Sequence, residues 1–241
     1  MAPQITPLST DEPFTFRCSP TVPCFNACCR DLNQALAPYD ILRLKNNLGL
    51  PSSRFLEIYT SQHIGPESGL PVITLKPGSK TDRLCPFVTP KGCRVYSDRP
   101  ASCRLYPMAR GTSRDRQTGD IQVHFALIRE PHCLGFRQKE RQTARSWIQS
   151  QDLDLYNEFN DLFLELISLK NRLIAGPLDL VARQLFHRAL YDLDAFRDQI
   201  FRLGLPEEGT IDAAERETLK TDDVALLRLA HTYVRKALFS R

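Results

Sequence analysis

The spacing of hydrophobic residues changes near residue 137 of this 241-residue chain. Before that point the apolar runs are short and are interrupted by proline, glycine and cysteine, which is typical of short strands and irregular loops. After it, apolar residues recur every three or four positions, as on one face of an amphipathic helix. The pattern predicts a mainly α protein with a few short strands: an irregular cysteine-rich domain over residues 14–136, and a helical bundle over residues 137–241 that packs on it.

Individual elements are predicted from this spacing together with the residues that mark helix ends. Helices are predicted over residues 38–49, from Ser52 onwards, and over residues 138–148, 152–173, 178–203 and 222–239. Alternating apolar residues predict strands over residues 72–75 and 121–128. Two polar stretches, residues 110–120 and 206–220, are predicted to be connections.

Composition points to a folded protein with an uneven distribution of charge. The chain is 42% hydrophobic and 25% charged, which is ordinary for a globular protein, and its formal net charge is +4. Residues 1–149 hold 20 Lys and Arg against 12 Asp and Glu. A basic half of this kind suits nucleic acid or another anion, or it offsets the charge of clustered thiolates. We favour the second interpretation because every cysteine lies in this half, and nucleic-acid binding is disfavoured.

The cysteines occur without features of export or membrane insertion. No stretch approaches the ~20 apolar residues of a transmembrane helix, and residues 1–10 lack the basic start and apolar core of a secretory signal. These observations predict a cytoplasmic protein without a membrane partner. In a reducing compartment, metal binding is a more common use of clustered cysteines than disulfide formation.

Eight cysteines form a sparse cluster that predicts a metal site. A soft metal ion or an iron–sulfur cluster needs about four converging thiolates. The neighbours Cys28 and Cys29 are hard to direct at one ion, so they suit a polynuclear cluster or two adjacent sites, unless one of them packs in the core. The predicted ligands are Cys18, Cys24, Cys28, Cys29, Cys85, Cys93, Cys103 and Cys133.

Other interpretations remain open for several of these residues and their neighbours. A single buried cysteine is often a small hydrophobic residue, which is an alternative role for Cys18 and Cys133. His124 and His132 suit either a nitrogen ligand or an ordinary strand or loop position. Three arginines directly follow cysteines, and they either donate to sulfur or cap turns: Arg30, Arg94 and Arg104.

The cysteine motifs resemble those of the YkgJ family of cysteine-cluster proteins. The first motif runs from Phe16 and Cys18 to Cys24 and the pair Cys28-Cys29 with Arg30. The second motif reads Cys85-Pro86-Phe87, Gly92-Cys93-x-Val95-Tyr96 and Arg99-Pro100-x-x-Cys103-Arg104-x-Tyr106-Pro107. The resemblance covers about residues 14–136 and implies a zinc- or iron-chelating domain. The family includes flagellin lysine N-methylases, which implies a protein-modifying activity as an alternative.

Three functions are therefore compatible with the sequence. The preferred one is a metal-binding protein that holds an iron–sulfur cluster, or zinc as the alternative cofactor. The second is a protein lysine N-methyltransferase, for which no catalytic residue can be assigned and no glycine-rich nucleotide motif is present. The third is an interaction module in which zinc stabilises the fold and the C-terminal helices bind a protein partner.

Overall fold

A computed structural model describes residues 3–30, 33–78, 81, 83–114, 121–204 and 212–240. Helical residues outnumber strand residues in this part of the chain, which confirms the prediction of a mainly α protein with short strands. The strands are β1 Gln4–Leu8, β2 Phe14–Thr15, β3 Ala35–Leu36, β4 Thr60–Ile64, β5 Pro71–Leu75, β6 Val88–Thr89, β7 Gly92–Cys93, β8 Met108–Arg114, β9 Ile121–Arg129 and β10 Arg141–Gln142. The helices are α1 Pro38–Asn47, α2 Ser52–Tyr59, α3 Ala101–Leu105, α4 Ala144–Ser150, α5 Asp154–Leu173, α6 Leu180–Leu190, α7 Leu193–Leu203, α8 Ala213–Thr218 and α9 Asp223–Phe239.

The chain divides into two compact units, each made of two separate segments. Unit 1 consists of Met1–Leu32 and Pro77–Asn157, and unit 2 consists of Asn33–Lys76 and Glu158–Arg241. This grouping differs from the division predicted at residue 136, because the segment between the two cysteine motifs packs with the C-terminal helices. All eight cysteines belong to unit 1.

Unit 1 is built on a three-stranded antiparallel sheet in the order β1-β9-β8. Leu127 of β9 pairs with Met108 of β8 on one side and with Thr6 of β1 on the other. The other described strands of the unit form two short ribbons, β10-β2 and β6-β7. Its buried core consists of Leu8, Phe14, Phe16, Met108, Leu127, Ala144 and Trp147.

Unit 2 combines the sheet β3-β5-β4 with α1, α2 and the C-terminal helices. Helix α1 begins with Pro38, whose fixed φ suits a first helical position. The Asp40 carboxylate accepts a hydrogen bond from Ala37 N at 2.9 Å. The ring of Tyr39 stacks on Phe159 at 4.8 Å between centroids, and both rings are buried. The hydrophobic faces of these helices therefore form a second core.

Several predicted helices have different limits in the structure. The helix predicted over residues 178–203 is two helices, α6 and α7, that separate at Tyr191 and Asp192. The break is stabilised because Ser52 Oγ donates to the Asp192 carboxylate at 2.6 Å. The apolar spacing continues through the break, so the spacing does not reveal it.

Three other predictions of local structure are corrected. The helix predicted over residues 138–148 begins only at Ala144, where Thr143 Oγ1 accepts from Ser146 N at 3.1 Å, because residues 141–142 pair with β2 instead. Residues 110–114 belong to β8, and the rest of that predicted connection, 115–120, lies outside the described residues. The predicted connection over 206–220 contains α8, while its part 206–211 also lies outside them.

None of the described helices has both the length and the hydrophobicity needed to cross a membrane.

Candidate metal centre

The first cysteine segment is a series of tight turns that ends in a 3₁₀ helix, Ala27–Cys29. Phe25 N donates to Val22 O at 2.9 Å, and Ala27 N donates to Cys24 O at 2.9 Å. Asn26 has a left-handed backbone, φ +67°, which asparagine tolerates better than most residues. These turns bring Cys24, Cys28 and Cys29 within one short loop.

The second cysteine segment is attached directly to this loop. Cys85 N donates to Cys29 O at 2.9 Å, and Asn26 Nδ2 donates to Thr89 O at 3.0 Å. Cys93 lies on β7 and pairs with Val88 on β6. Cys29, Cys85 and Cys93 are therefore joined through backbone hydrogen bonds over very few residues.

Gly92 allows the β6-β7 ribbon to lie against the first loop. Its φ is +120°, and a Cβ atom there would stand 3.1 Å from Cζ of Phe25. A side chain at this position would be strained in its backbone and crowded against the ring. The glycine of the second motif thus has a defined packing role.

Cys103 lies on the short helix α3, which two arginines hold in place. Arg104 is buried, and it donates to Arg99 O at 3.1 Å, to Gln151 O at 2.6 Å and to Ser97 O. Its guanidinium also lies over the Tyr156 ring at 4.8 Å. Of the two roles predicted for Arg104, the structure supports the capping of turns, because its guanidinium donates to main-chain carbonyl oxygens.

Arg99 is the cation that sequence reasoning missed. Its guanidinium stacks on Tyr96 at 3.9 Å, donates to Tyr96 O at 2.6 Å, and donates to the side chain of Gln151. Its charge acts on Cys93, Cys103 and Cys18. The position of Arg99 beside Pro100 in the second motif could have indicated this role. The prediction from sequence considered only the arginines that directly follow cysteines.

The last cysteine segment returns to the first through two main-chain contacts. Leu134 N donates to Cys24 Sγ at 3.1 Å, and Arg17 N donates to Gly135 O at 3.2 Å. A Cβ atom on Gly135 would lie 2.4 Å from the Phe16 ring, so only glycine permits this approach. Cys133 is thereby brought beside Cys18 and Cys24, more than a hundred residues away in the chain.

A small cavity of about 30 Å³ lies where these segments meet. This space suits one or two atoms of the size of a water molecule. The cavity is lined by Phe16, Arg17, Cys18, Val22, Cys24, Cys28, Tyr106, His132, Cys133 and Gly135. Four of the predicted ligands and one of the two candidate histidines therefore line the same partly open cavity.

The Tyr106 hydroxyl is the most unusual polar group of this cavity. It is buried, and within the described part of the chain it has no hydrogen-bond partner of ordinary geometry. Burial, followed by the neighbouring thiol of Cys133, raises the pKa of Tyr106 far above its usual range. A buried hydroxyl without a partner is costly, which indicates that the cavity suits a further polar or charged occupant.

The thiols of the cluster influence one another. Burial, and then the thiolates of Cys28, Cys24 and Cys133, raise the pKa of Cys18 to about 11. A hydrogen bond from Cys29 lowers the pKa of Cys28 and raises that of Cys29. Burial is also the main reason that the pKa values of three further thiols are raised, those of Cys85, Cys93 and Cys133.

These donors are gathered in one region but are not in coordination geometry. Among the residues that the structure describes, no three Cys, His, Asp or Glu side chains converge closely enough to hold a metal ion as placed. The donor set itself fits a thiophilic metal, because eight thiols and a buried hydroxyl suit zinc or an iron–sulfur cluster better than hard cations that prefer oxygen ligands. Binding would require changes of cysteine rotamer.

The two candidate histidines occupy different places. His132 lines the cavity and lies 3.5 Å from the Glu130 carboxylate. His124 is exposed on β9, and its Nε2 lies 2.7 Å from Ser113 Oγ. The geometry therefore favours His132 over His124 as a group near a bound ion.

Comparison with known proteins agrees with the chemistry of the cysteine segments. No curated protein and no solved structure matches the chain significantly. Residues 17–134, which run from beside Cys18 to just beyond Cys133, match one family model. This cysteine-rich part of the chain is thus similar to the family described as "CxxCxxCC: Putative zinc- or iron-chelating domain".

Proposed function

We propose that unit 1 binds a thiophilic metal through its eight cysteines, and that the bound group is an iron–sulfur cluster rather than zinc. The observation that carries the proposal is the cavity in which Cys18, Cys24, Cys28 and Cys133 meet a buried tyrosine hydroxyl. Residues separated by more than a hundred positions are brought there by specific main-chain contacts. An ordinary hydrophobic core has no need for four thiols around one cavity.

Charge supports the same proposal. A cluster held by four thiolates carries a net negative charge, which must be offset in a partly buried site. Residues 1–149 carry an excess of Lys and Arg, and Arg99 acts directly on Cys93 and Cys103. Because Arg99 is only 9% exposed, its charge is poorly screened by solvent.

The number and arrangement of thiols favour an iron–sulfur cluster over a single zinc ion. One structural zinc ion needs four ligands, whereas eight cysteines lie in this unit. The adjacent pair Cys28-Cys29 is also hard to accommodate around one tetrahedral ion. We also propose a cytoplasmic location, where disulfides are rare and clustered thiols remain available to a metal.

Anaerobic purification of the full chain, followed by measurement of iron, zinc, acid-labile sulfide and the visible spectrum, tests the proposal. We expect iron and sulfide in similar amounts, and an absorption band at about 400 nm that bleaches with dithionite. Cys28→Ser should lower the iron content and the absorbance of the purified protein. His124→Ala is the matched control, because this exposed histidine lies outside the cavity lining.

Two outcomes contradict the proposal at different levels. A colourless protein with stoichiometric zinc would overturn the iron–sulfur preference and retain cysteine-based metal binding. A protein that takes up neither metal, even after anaerobic reconstitution, would overturn metal binding itself.

A further inference from the structure

We infer that the eight cysteines form two adjacent four-thiolate sites, which divide between the neighbours Cys28 and Cys29. The inner site consists of Cys18, Cys24, Cys28 and Cys133, and the outer site consists of Cys29, Cys85, Cys93 and Cys103. This inference rests on the proposed metal binding and assigns each ligand to a site. Each site has the four thiolates that a tetrahedral metal ion or an iron–sulfur cluster requires.

The inner site is defined by the cavity. Its four cysteines line the same partly open cavity with Tyr106 and His132. Leu134 N donates to Cys24 Sγ, which fixes the Cys133 loop against the first cysteine loop. Cys18 interacts electrostatically with the other three members of this group.

The outer site is defined by the β6-β7 ribbon and α3. The backbone hydrogen bond from Cys85 to Cys29 joins the first two members, and Cys93 lies on the ribbon that follows Cys85. Cys29 interacts electrostatically with Cys85 and Cys103, and Cys85 interacts with Cys93. Arg99, which precedes α3, acts on Cys93 and Cys103 of this group and also on Cys18 of the inner group.

The boundary lies inside the 3₁₀ helix Ala27–Cys29. Successive side chains of a 3₁₀ helix project about 120° apart, since this helix has three residues per turn. Cys28 lines the cavity, whereas Cys29 is linked through its carbonyl to Cys85 on the second segment. Cys28 and Cys29 are joined by a hydrogen bond, and Cys28 also interacts electrostatically with Cys85 and Cys93, so the two sites meet at this pair.

Cobalt(II) titration of the reduced, metal-free full chain tests the division, with native mass spectrometry to count bound ions. Cobalt bound by four thiolates gives intense sulfur-to-metal charge-transfer bands together with visible bands typical of tetrahedral coordination. We expect the wild-type chain to saturate at two cobalt ions. This measurement needs no variant, so it stands even if a variant folds poorly.

Three double variants, each lacking two cysteines, distinguish the assignment from a shared eight-cysteine site. Cys24→Ser with Cys133→Ser removes two inner ligands, and Cys93→Ser with Cys103→Ser removes two outer ligands. Each should retain one cobalt ion with a four-thiolate spectrum. The matched control, Cys24→Ser with Cys93→Ser, takes one ligand from each site and should retain no four-thiolate spectrum. Circular dichroism checks that each variant is folded.

Saturation of the wild type at one cobalt ion, or at more than two, would overturn the inference. Equal loss of the four-thiolate spectrum in all three folded double variants would overturn it as well. A wild-type chain that binds no cobalt would instead contradict the proposed metal binding, so the two failures are distinguishable.

Discussion

His231 shows how a single buried group ties the stability of unit 2 to pH. It is 4% exposed, and neither ring nitrogen has a hydrogen-bond partner among the described residues. Its ring lies 6.0 Å from that of Phe159. Burial lowers the pKa of His231 to about 4 from the usual 6.5, because the charged form is poorly solvated there.

The lowered pKa predicts loss of stability in acid. The unfolded chain binds the proton first, so the stability contribution is fully present above pH 6.5 and is lost as the pH falls towards 4. The cost is roughly 3 kcal/mol over that range. His231→Phe should flatten this part of a urea-unfolding series measured between pH 4 and 7.5. The exposed His63→Phe serves as the control, and an unchanged slope in His231→Phe would contradict the prediction.

Gly135 gives a second prediction at the scale of one residue. Gly135→Ala places a methyl group against the Phe16 ring and 2.9 Å from Arg17 O, so the loop that carries Cys133 must shift. We expect a loss of about 1–3 kcal/mol in the free energy of unfolding, together with weaker metal uptake. Gly111→Ala is the matched control, because a Cβ atom there meets nothing within 4 Å. Equal denaturation midpoints for the two variants would show that the close approach is unimportant.

At the scale of elements, Ser52 links the start of α2 to the start of α7. It is fully buried, and its hydroxyl donates to the Asp192 carboxylate at 2.6 Å. The same hydroxyl accepts from Asp194 N at 2.9 Å, while Ser52 N donates to the Asp194 carboxylate at 2.7 Å. The reciprocal bonds satisfy backbone groups that a helix start leaves unpaired.

Ser52→Ala should therefore destabilise unit 2 more than the same change at its neighbour. It leaves Asp194 N and the Asp192 carboxylate without the hydroxyl, at a cost of about 1–3 kcal/mol. Ser53→Ala changes an exposed residue of the same helix and should cost far less. Chemical denaturation of both variants measures the difference, and similar unfolding free energies would rule out the proposed link.

The same elements show what the sequence could predict. Helices α1, α5 and α9 agree with their predicted positions, because their apolar spacing and end residues act locally. The break between α6 and α7 was missed, since it depends on Ser52, which lies 140 positions away. The clustering of the cysteines and strand β9 were visible as sequence patterns, whereas β1 became evident only from its pairing with β9.

The candidate site shows the same limit of prediction. The clustering of cysteines can be predicted from the sequence. The proposed division into an inner and an outer site depends on tertiary contacts, such as the hydrogen bond from Leu134 N to Cys24 Sγ. The buried hydroxyl of Tyr106 was likewise an unremarked part of a motif. Burial and distant backbone contacts carry no periodic signal that could have revealed them.

At the scale of the whole molecule, metal binding should protect unit 1 selectively. We expect metal loading to slow amide hydrogen exchange of Leu134, whose N–H donates to Cys24 Sγ, and of the β6-β7 ribbon. A ligand that binds only the folded state of this unit stabilises it by mass action. Exchange in α9, in unit 2, should change much less. Mass-spectrometric exchange of loaded and chelator-treated protein measures this, and uniform protection along the chain would contradict it.

The interleaved order of the two units along the chain has a consequence for biosynthesis. Residues 33–76 are made early, but the helices with which they group, from residue 158 onwards, are made last. The strands, α3 and all eight cysteines of unit 1 are complete once residue 157 has left the ribosome. The nascent chain thus contains all eight cysteines before the C-terminal helices that pack with α1 and α2 have been made. Metal binding can therefore precede completion of the polypeptide.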